Sequence, residues 1–255
     1  MPLPTVLPSP PQAVHVAPAQ YMGAQSDINE RMRSILMDWL VDVHLKFKLV
    51  PETLYYTINY IDRFLAKHTV PRQKLQLVGV TAMLIASKYE EIYAPEVRDF
   101  VYITDRAYSR NDILEMERKM LDVLEFNLTT PLLLDFVKRF CKAASAGSSA
   151  EVAKAVLARS QYVSELTLPH YQFLKYKTST LAAACVFVAM KTLTANPWNA
   201  TMQYYTQHSD TDLQQCVREL KEILKAAPTA NLTAVHKKWS TAKYGETAQC
   251  FVFSS

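Results

Sequence analysis

The 255-residue chain carries a formal net charge of +4, 13 prolines and only four glycines, where average usage would give about 18. So few positive-φ turns can be built that helices are favoured and a sandwich or barrel is disfavoured. The four cysteines (Cys141, Cys185, Cys216, Cys250) stand 44, 31 and 34 residues apart, which suits neither a C-x-x-C metal site nor a small disulfide scaffold and implies a reducing compartment.

Six prolines (Pro2, Pro4, Pro8, Pro10, Pro11, Pro18) crowd the first 18 residues, so residues 1–25 read as a flexible arm. No basic segment leading into an apolar run opens the chain, and the longest apolar stretch, Leu181 to Met190, is far short of the ~18 residues of a membrane span. A soluble protein of nucleus and cytoplasm is expected. From residue 26 onward the pattern is helix after helix. In the first, MRSILMDWLVDVHLKF (32–47), a turn of about 100° per residue puts Met32, Ile35, Leu36, Trp39, Val43 and Phe47 on one face and Met37, Val41 and Leu45 on the other. Such a helix is either buried all round or keeps one face for a partner. Further starts are marked by Pro51, Pro71, Pro95 and Pro131 at the heads of apolar runs, and by Thr130 as an N-cap. Capping-box spacings at Ser109 to Asp112, Ser148 to Glu151 and Ser209 to Asp212 add three more. Together these signals give about five helices in each half.

The halves resemble each other. A shift of 103 residues lays Gly79, Ala82, Ala86 and Lys88 on Ala182, Cys185, Ala189 and Lys191, and a shift of 100 lays DILEMERKMLDVL (112–124) on DLQQCVRELKEIL (212–224). Small residues at i, i+3 and i+7 form a thin stripe that neighbours can approach closely, so each helix bearing one is expected to run through the middle of its half. The chain is therefore read as two copies of a helical unit of roughly 95 residues followed by a short C-terminal segment. The charge is uneven: residues 32–128 carry 13 basic against 14 acidic side chains, residues 129–255 carry 14 against 8. The basic half admits a nucleic-acid-binding reading, but its charges are scattered over several helices, as on a solvated surface.

No catalytic, metal or cofactor constellation is legible. The six histidines are dispersed without an H-E-x-x-H, and four isolated glycines cannot assemble a phosphate-cradling loop or a nucleophile elbow. The informative charges are Lys88, ending the small-residue helix, and Glu117, on the otherwise apolar strip Leu114, Leu121, Leu124. A charge on such a strip needs a partner. It is either one half of an internal Lys–Glu pair or part of a charged clamp for the backbone of an incoming segment. The copy keeps the lysine (Lys191) but has Val217 in place of Glu117, which favours the clamp.

MRSILMDWLVDV, YIDRFL and KLQLVGVTAMLIASKYEEIYAPEVRDFVYITD closely resemble the cyclin box of the mitotic, B-type cyclins, and the likeness continues through ELTL (165–168), the alanine-rich stretch 181–192 and KKWSTAKY. The resemblance implies an all-α fold of two tandem five-helix cyclin-box repeats: arm 1–25, N-terminal box 26–128, C-terminal repeat 129–244, tail 245–255. It implies a regulatory subunit, not an enzyme, that needs no cofactor, activates a cyclin-dependent serine/threonine kinase at G2/M and recruits substrates. Carried over, Lys88 and Glu117 would grip the kinase's regulatory helix, flanked by Tyr89, Leu121, Phe126 and Leu128, with Glu91 and Ile92 near the activation segment. Met32, Ile35, Leu36, Trp39, Leu75 and Gln76 would form a docking patch for Arg-x-Leu-type segments of substrates or inhibitors. Asp42 would pair with the docked arginine, more weakly than the longer glutamate of some relatives. Arg33 and Asp62 would form an internal salt bridge, and Leu77 would be core. Two departures accompany the likeness: residues 1–20 are too proline-rich for the helix that usually precedes the first repeat, and the arm holds no Arg-x-x-Leu degradation signal. Arg33 to Leu36 fits that signal only inside a helix.

Overall fold

The computed structural model describes residues 17–251, and among them there is no strand. The first repeat holds α1 (Glu30–Phe47), α2 (Pro51–Lys67), α3 (Leu75–Glu90), α4 (Val97–Ile103) and α5 (Arg110–Val123). The second holds α6 (Leu133–Ala144), α7 (Ala150–Thr167), α8 (Thr178–Lys191), α9 (Ala200–Thr206) and α10 (Asp210–Ala226), and a short α11 (Ala234–Trp239) follows. No described helix is long and apolar enough to cross a membrane.

The small-residue stripes mark the centre of each repeat, as expected. Helices α1, α2 and α5 pack on α3, and α6, α7 and α10 on α8; Ala82, Ala86, Ala182, Cys185 and Ala189 are wholly buried. A side chain at Gly79 has no room, because a Cβ there would lie 2.7 Å from Leu36 Cδ1 across the α1–α3 contact. A Gly79→Val substitution is expected to cost about 1–3 kcal/mol through overpacking, read as a lower urea midpoint; an unchanged midpoint would show that α1 yields freely.

Local chemistry sets most helix starts. Ser109 and Asp112 exchange reciprocal bonds of 3.2 and 2.8 Å at α5, Ser209 and Asp212 bonds of 3.3 and 2.8 Å at α10, and Pro51 opens α2. Others need correction. At α7 the cap is Ser149, not Ser148. Pro71 and Pro95 stand just outside their helices. Thr130 is not an N-cap: α6 starts at Leu133, where the Asp135 carboxylate accepts the Leu132 N–H at 2.9 Å, and the buried Thr130 hydroxyl has no hydrogen-bond partner in the protein.

The end of the arm differs from its sequence reading. Residues 1–16, with five of the six clustered prolines, lie outside the described residues, as do residues 252–255 of the tail. Residues 17–25, however, are packed on the body. The Tyr21 hydroxyl donates to Asp62 at 2.7 Å, the Met22 N–H donates to the Tyr171 hydroxyl at 2.9 Å, and the buried Gln25 amide donates to the Leu65 and His68 carbonyls at 2.6 and 2.8 Å. The segment thus touches both repeats. They are joined further by Tyr55 and Ser164, whose hydroxyls lie 2.7 Å apart, and by the Lys138–Glu52 ion pair.

Candidate functional site

At the core of the junction is Arg33, whose side chain is 1% exposed. Its Nε and Nη2 each donate to one Asp62 oxygen at 2.7 Å, and Nη1 reaches the Leu168 and Pro169 carbonyls of the second repeat at 3.2 and 3.3 Å. The expected Arg33–Asp62 bridge is therefore present, and Leu77 is core. Because Arg33 and Leu36 are both buried within α1, the Arg-x-x-Leu pattern they form is not displayed.

The Lys88 and Glu117 side chains meet at the surface where α3 packs on α5, with Nζ to Oε1 at 2.7 Å. Lys88 remains 49% exposed and Glu117 14%. Tyr89 lies beside them, 41% exposed; its hydroxyl is 2.6 Å from Thr129 Oγ1 and its ring packs edge-on to Tyr56 at 5.1 Å. Ile92 and Tyr93 are 90% and 92% exposed, and Phe126 is 66% exposed. The Phe126 backbone, with that of Glu125, sits in the left-handed region (φ 53° and 56°), which costs energy for residues with a Cβ. Leu121 and Leu128 are half-buried against the core. Glu91 is engaged within the chain: its carboxylate accepts the Val50 N–H at 2.8 Å and the Thr53 hydroxyl at 2.5 Å, at the N-terminus of α2. Tyr93, Tyr56 and Thr129 were missed by the sequence reading. Of these, Tyr93 had a signal, since it directly follows Ile92 in an exposed turn after α3.

The second candidate surface lies on α1. The Met37 and Val41 side is fully buried, and the opposite face is only partly open. Ile35 is 53% exposed, Asp42 is exposed, and Met32, Trp39 and Gln76 are half-buried. Leu36 and Leu75, expected on the same patch, are core residues at 6% and 5% exposure. They support the patch from beneath, Leu36 being held against Gly79. A groove beside the patch joins Ile35, Asp38, Trp39 and Asp42 to Gln172 of the second repeat and to Asn231 and Leu232 before α11. No group of metal-ligating side chains occurs among the described residues.

Residues 11–129 match the family model "Cyclin, N-terminal domain" and residues 131–251 match "Cyclin, C-terminal domain". Cyclin-B2-1 of Arabidopsis thaliana is 47% identical over 234 residues, which span 91% of this chain and 53% of the relative. G2/mitotic-specific cyclin-2 of Medicago sativa is 46% identical over 231 residues, 90% of this chain and 69% of that one. The chain thus spans about half the length of the first of these relatives. Among solved structures, a viral cyclin from herpesvirus saimiri superposes with a TM-score of 0.73 over 85% of this chain and 92% of that one at 16% identity, a likeness of fold.

Proposed function

Since the chain belongs to the cyclin family, with B-type mitotic cyclins among its relatives, we propose that it is a regulatory subunit that docks on a cyclin-dependent serine/threonine kinase and switches it on. The Lys88–Glu117 pair carries this reading. It is preformed at 2.7 Å with the ammonium still half in solvent. A lysine has three protons to donate; one meets Glu117, leaving two for carbonyls at a helix end, while the remaining lone pairs of Glu117 accept N–H groups. The second repeat has no such pair: Lys191 lies over the Phe187 ring and Val217 is buried, so the fold they share does not require it. Tyr89, Ile92, Phe126, Leu121 and Leu128 supply the apolar flank. The gripped kinase helix moves inward, so that its glutamate pairs with the lysine that orients ATP. The cyclin places that helix and contributes no catalytic group.

On the same reading, Ile35, Trp39, Met32, Gln76 and Asp42 receive Arg-x-Leu segments of substrates or inhibitors, and the complex acts at G2/M in nucleus and cytoplasm. The test is phosphorylation of a histone-type substrate by a purified cyclin-dependent kinase, with the wild type and with Lys88→Ala/Glu117→Ala. The double variant is expected to lose about 30-fold or more of the stimulation, as truncation of an interface centre does. Its melting temperature should move by less than about 3 °C, because a partly exposed pair contributes at most about 1 kcal/mol. Full stimulation by the folded double variant would sink the clamp.

A further inference from the structure

The groove beside Trp39 is walled on one side by Asn231 and Leu232, which belong to neither repeat's bundle but to the strap leading into α11. What holds that strap is unusual. Helix α11 packs between α1 and α7, and its first residue, Ala234, donates its N–H to Asp38 of α1 at 3.0 Å, inside the groove. At its far end Lys238 is buried and paired with Glu165 of α7 at 2.5 Å, their side chains 2% and 3% exposed. The second Glu165 oxygen accepts the Trp239 indole N–H at 3.0 Å, and the Lys238 ammonium also lies over the Tyr244 ring at 5.2 Å. A buried ion pair adds little net stability compared with apolar side chains of similar size, but it can be satisfied in one register only, and losing one partner strands the other charge.

We propose that the Lys238–Glu165 pair is a latch that positions the strap, and through it the Asn231–Leu232 wall of the docking groove, so that affinity for a docked segment depends on residues that never touch it. The inference rests on the docking function assigned above to that groove. Glu165 sits on α7 and Lys238 on α11, so neither belongs to the kinase clamp on α3 and α5. Without the latch, α11 keeps the 3.0 Å contact between His236 and the Tyr162 hydroxyl of α7 and its Asp38 bond to α1, but loses the buried charged pair that fixes its far end.

The test measures binding of a fluorescein-labelled Arg-x-Leu peptide to the full chain by anisotropy, and kinetics of the kinase complex on two substrates, one bearing that segment and one lacking it. Glu165→Leu should weaken peptide binding about tenfold, within the range of couplings between sites. It should raise KM for the segment-bearing substrate alone, leaving kcat and the other substrate unchanged. Lys238→Met/Glu165→Leu, which removes both charges and fills the space, should recover binding to within about threefold of wild type. A merely structural lesion would lower activity on both substrates together. Should Glu165→Leu fail to fold, Glu165→Gln, which keeps an acceptor for Trp239, is measured in its place. A folded single variant that binds like wild type, or a double variant as weak as the single, overturns the latch. Wild type that does not bind the peptide removes the docking reading itself.

Discussion

Replacing Arg33 by methionine is expected to lower stability by about 3–5 kcal/mol, a fall of roughly 10 °C or more in melting temperature for a chain of this size. Two losses combine. Asp62, 4% exposed, is left in the interior without its cation, the Tyr21 hydroxyl being its remaining donor. That hydroxyl is held protonated, its pKa pushed far up by burial and by the Asp62 charge, so it donates but cannot neutralise the carboxylate. The Leu168 and Pro169 carbonyls lose the Nη1 bonds that tie the second repeat to α1. The compensating change is specific: adding Asp62→Leu to Arg33→Met removes the stranded charge and should restore most of the loss, because an apolar pair can replace a buried ion pair. Thermal melts followed by circular dichroism decide it. A single variant melting within about 2 °C of wild type, well inside the shift expected here, would mean the bridge is incidental, as would a double variant no better than the single.

The second large effect is on pH. His44 is 2% exposed near the end of α1; its Nε2 lies 2.9 Å from the Val50 carbonyl and so carries the proton, and Nδ1 has no partner in the protein. Burial, reinforced by the charge of Lys238 nearby, pushes its pKa from the ordinary 6.5 down to about 4. In the unfolded chain the imidazole binds its proton near pH 6.5, while the native protein refuses it until about pH 4. Between these values the unfolded state holds more protons, so stability falls as pH drops, by about 3 kcal/mol over the window, and this loss is absent above it. His44→Gln, which can still donate to Val50, should flatten the dependence between pH 6.5 and 4 relative to wild type, carboxylates and other histidines contributing equally to both. Parallel urea midpoints for the two proteins across that window would show that His44 titrates normally.

The helices were legible because their start signals are local. Ser109 with Asp112, and Ser209 with Asp212, lie three residues apart, and the small stripes of α3 and α8 are read within two turns. Thr130 misled because a Thr-Pro before an apolar run looks like a cap, whereas here the hydroxyl is buried two residues short of the helix's own cap at Leu132. Residues 17–25 misled because proline density reads as an unpacked arm, while the groups that hold Tyr21, Met22 and Gln25 stand 40 to 149 positions away in the chain. The Lys88–Glu117 pair, 29 residues apart, was found only because a carboxylate on an apolar strip demanded an explanation. Lys238 gave no such warning. In KKWS it reads as one more solvated lysine, and only the packing of α11 against α7 reveals that it is buried on Glu165.

The exposed side chains after α3 bear on the behaviour of the chain on its own. Ile92 and Tyr93 present nearly their whole surface to water just after α3, and Tyr89 in the last turn of that helix is 41% exposed. Exposed apolar side chains on neighbouring residues favour contact between molecules, so self-association of the chain on its own is expected to rise with concentration. On the function proposed above, covering that surface would do more than complete an assembly: it would set how much of the chain can be held in solution, and for how long, before it is used.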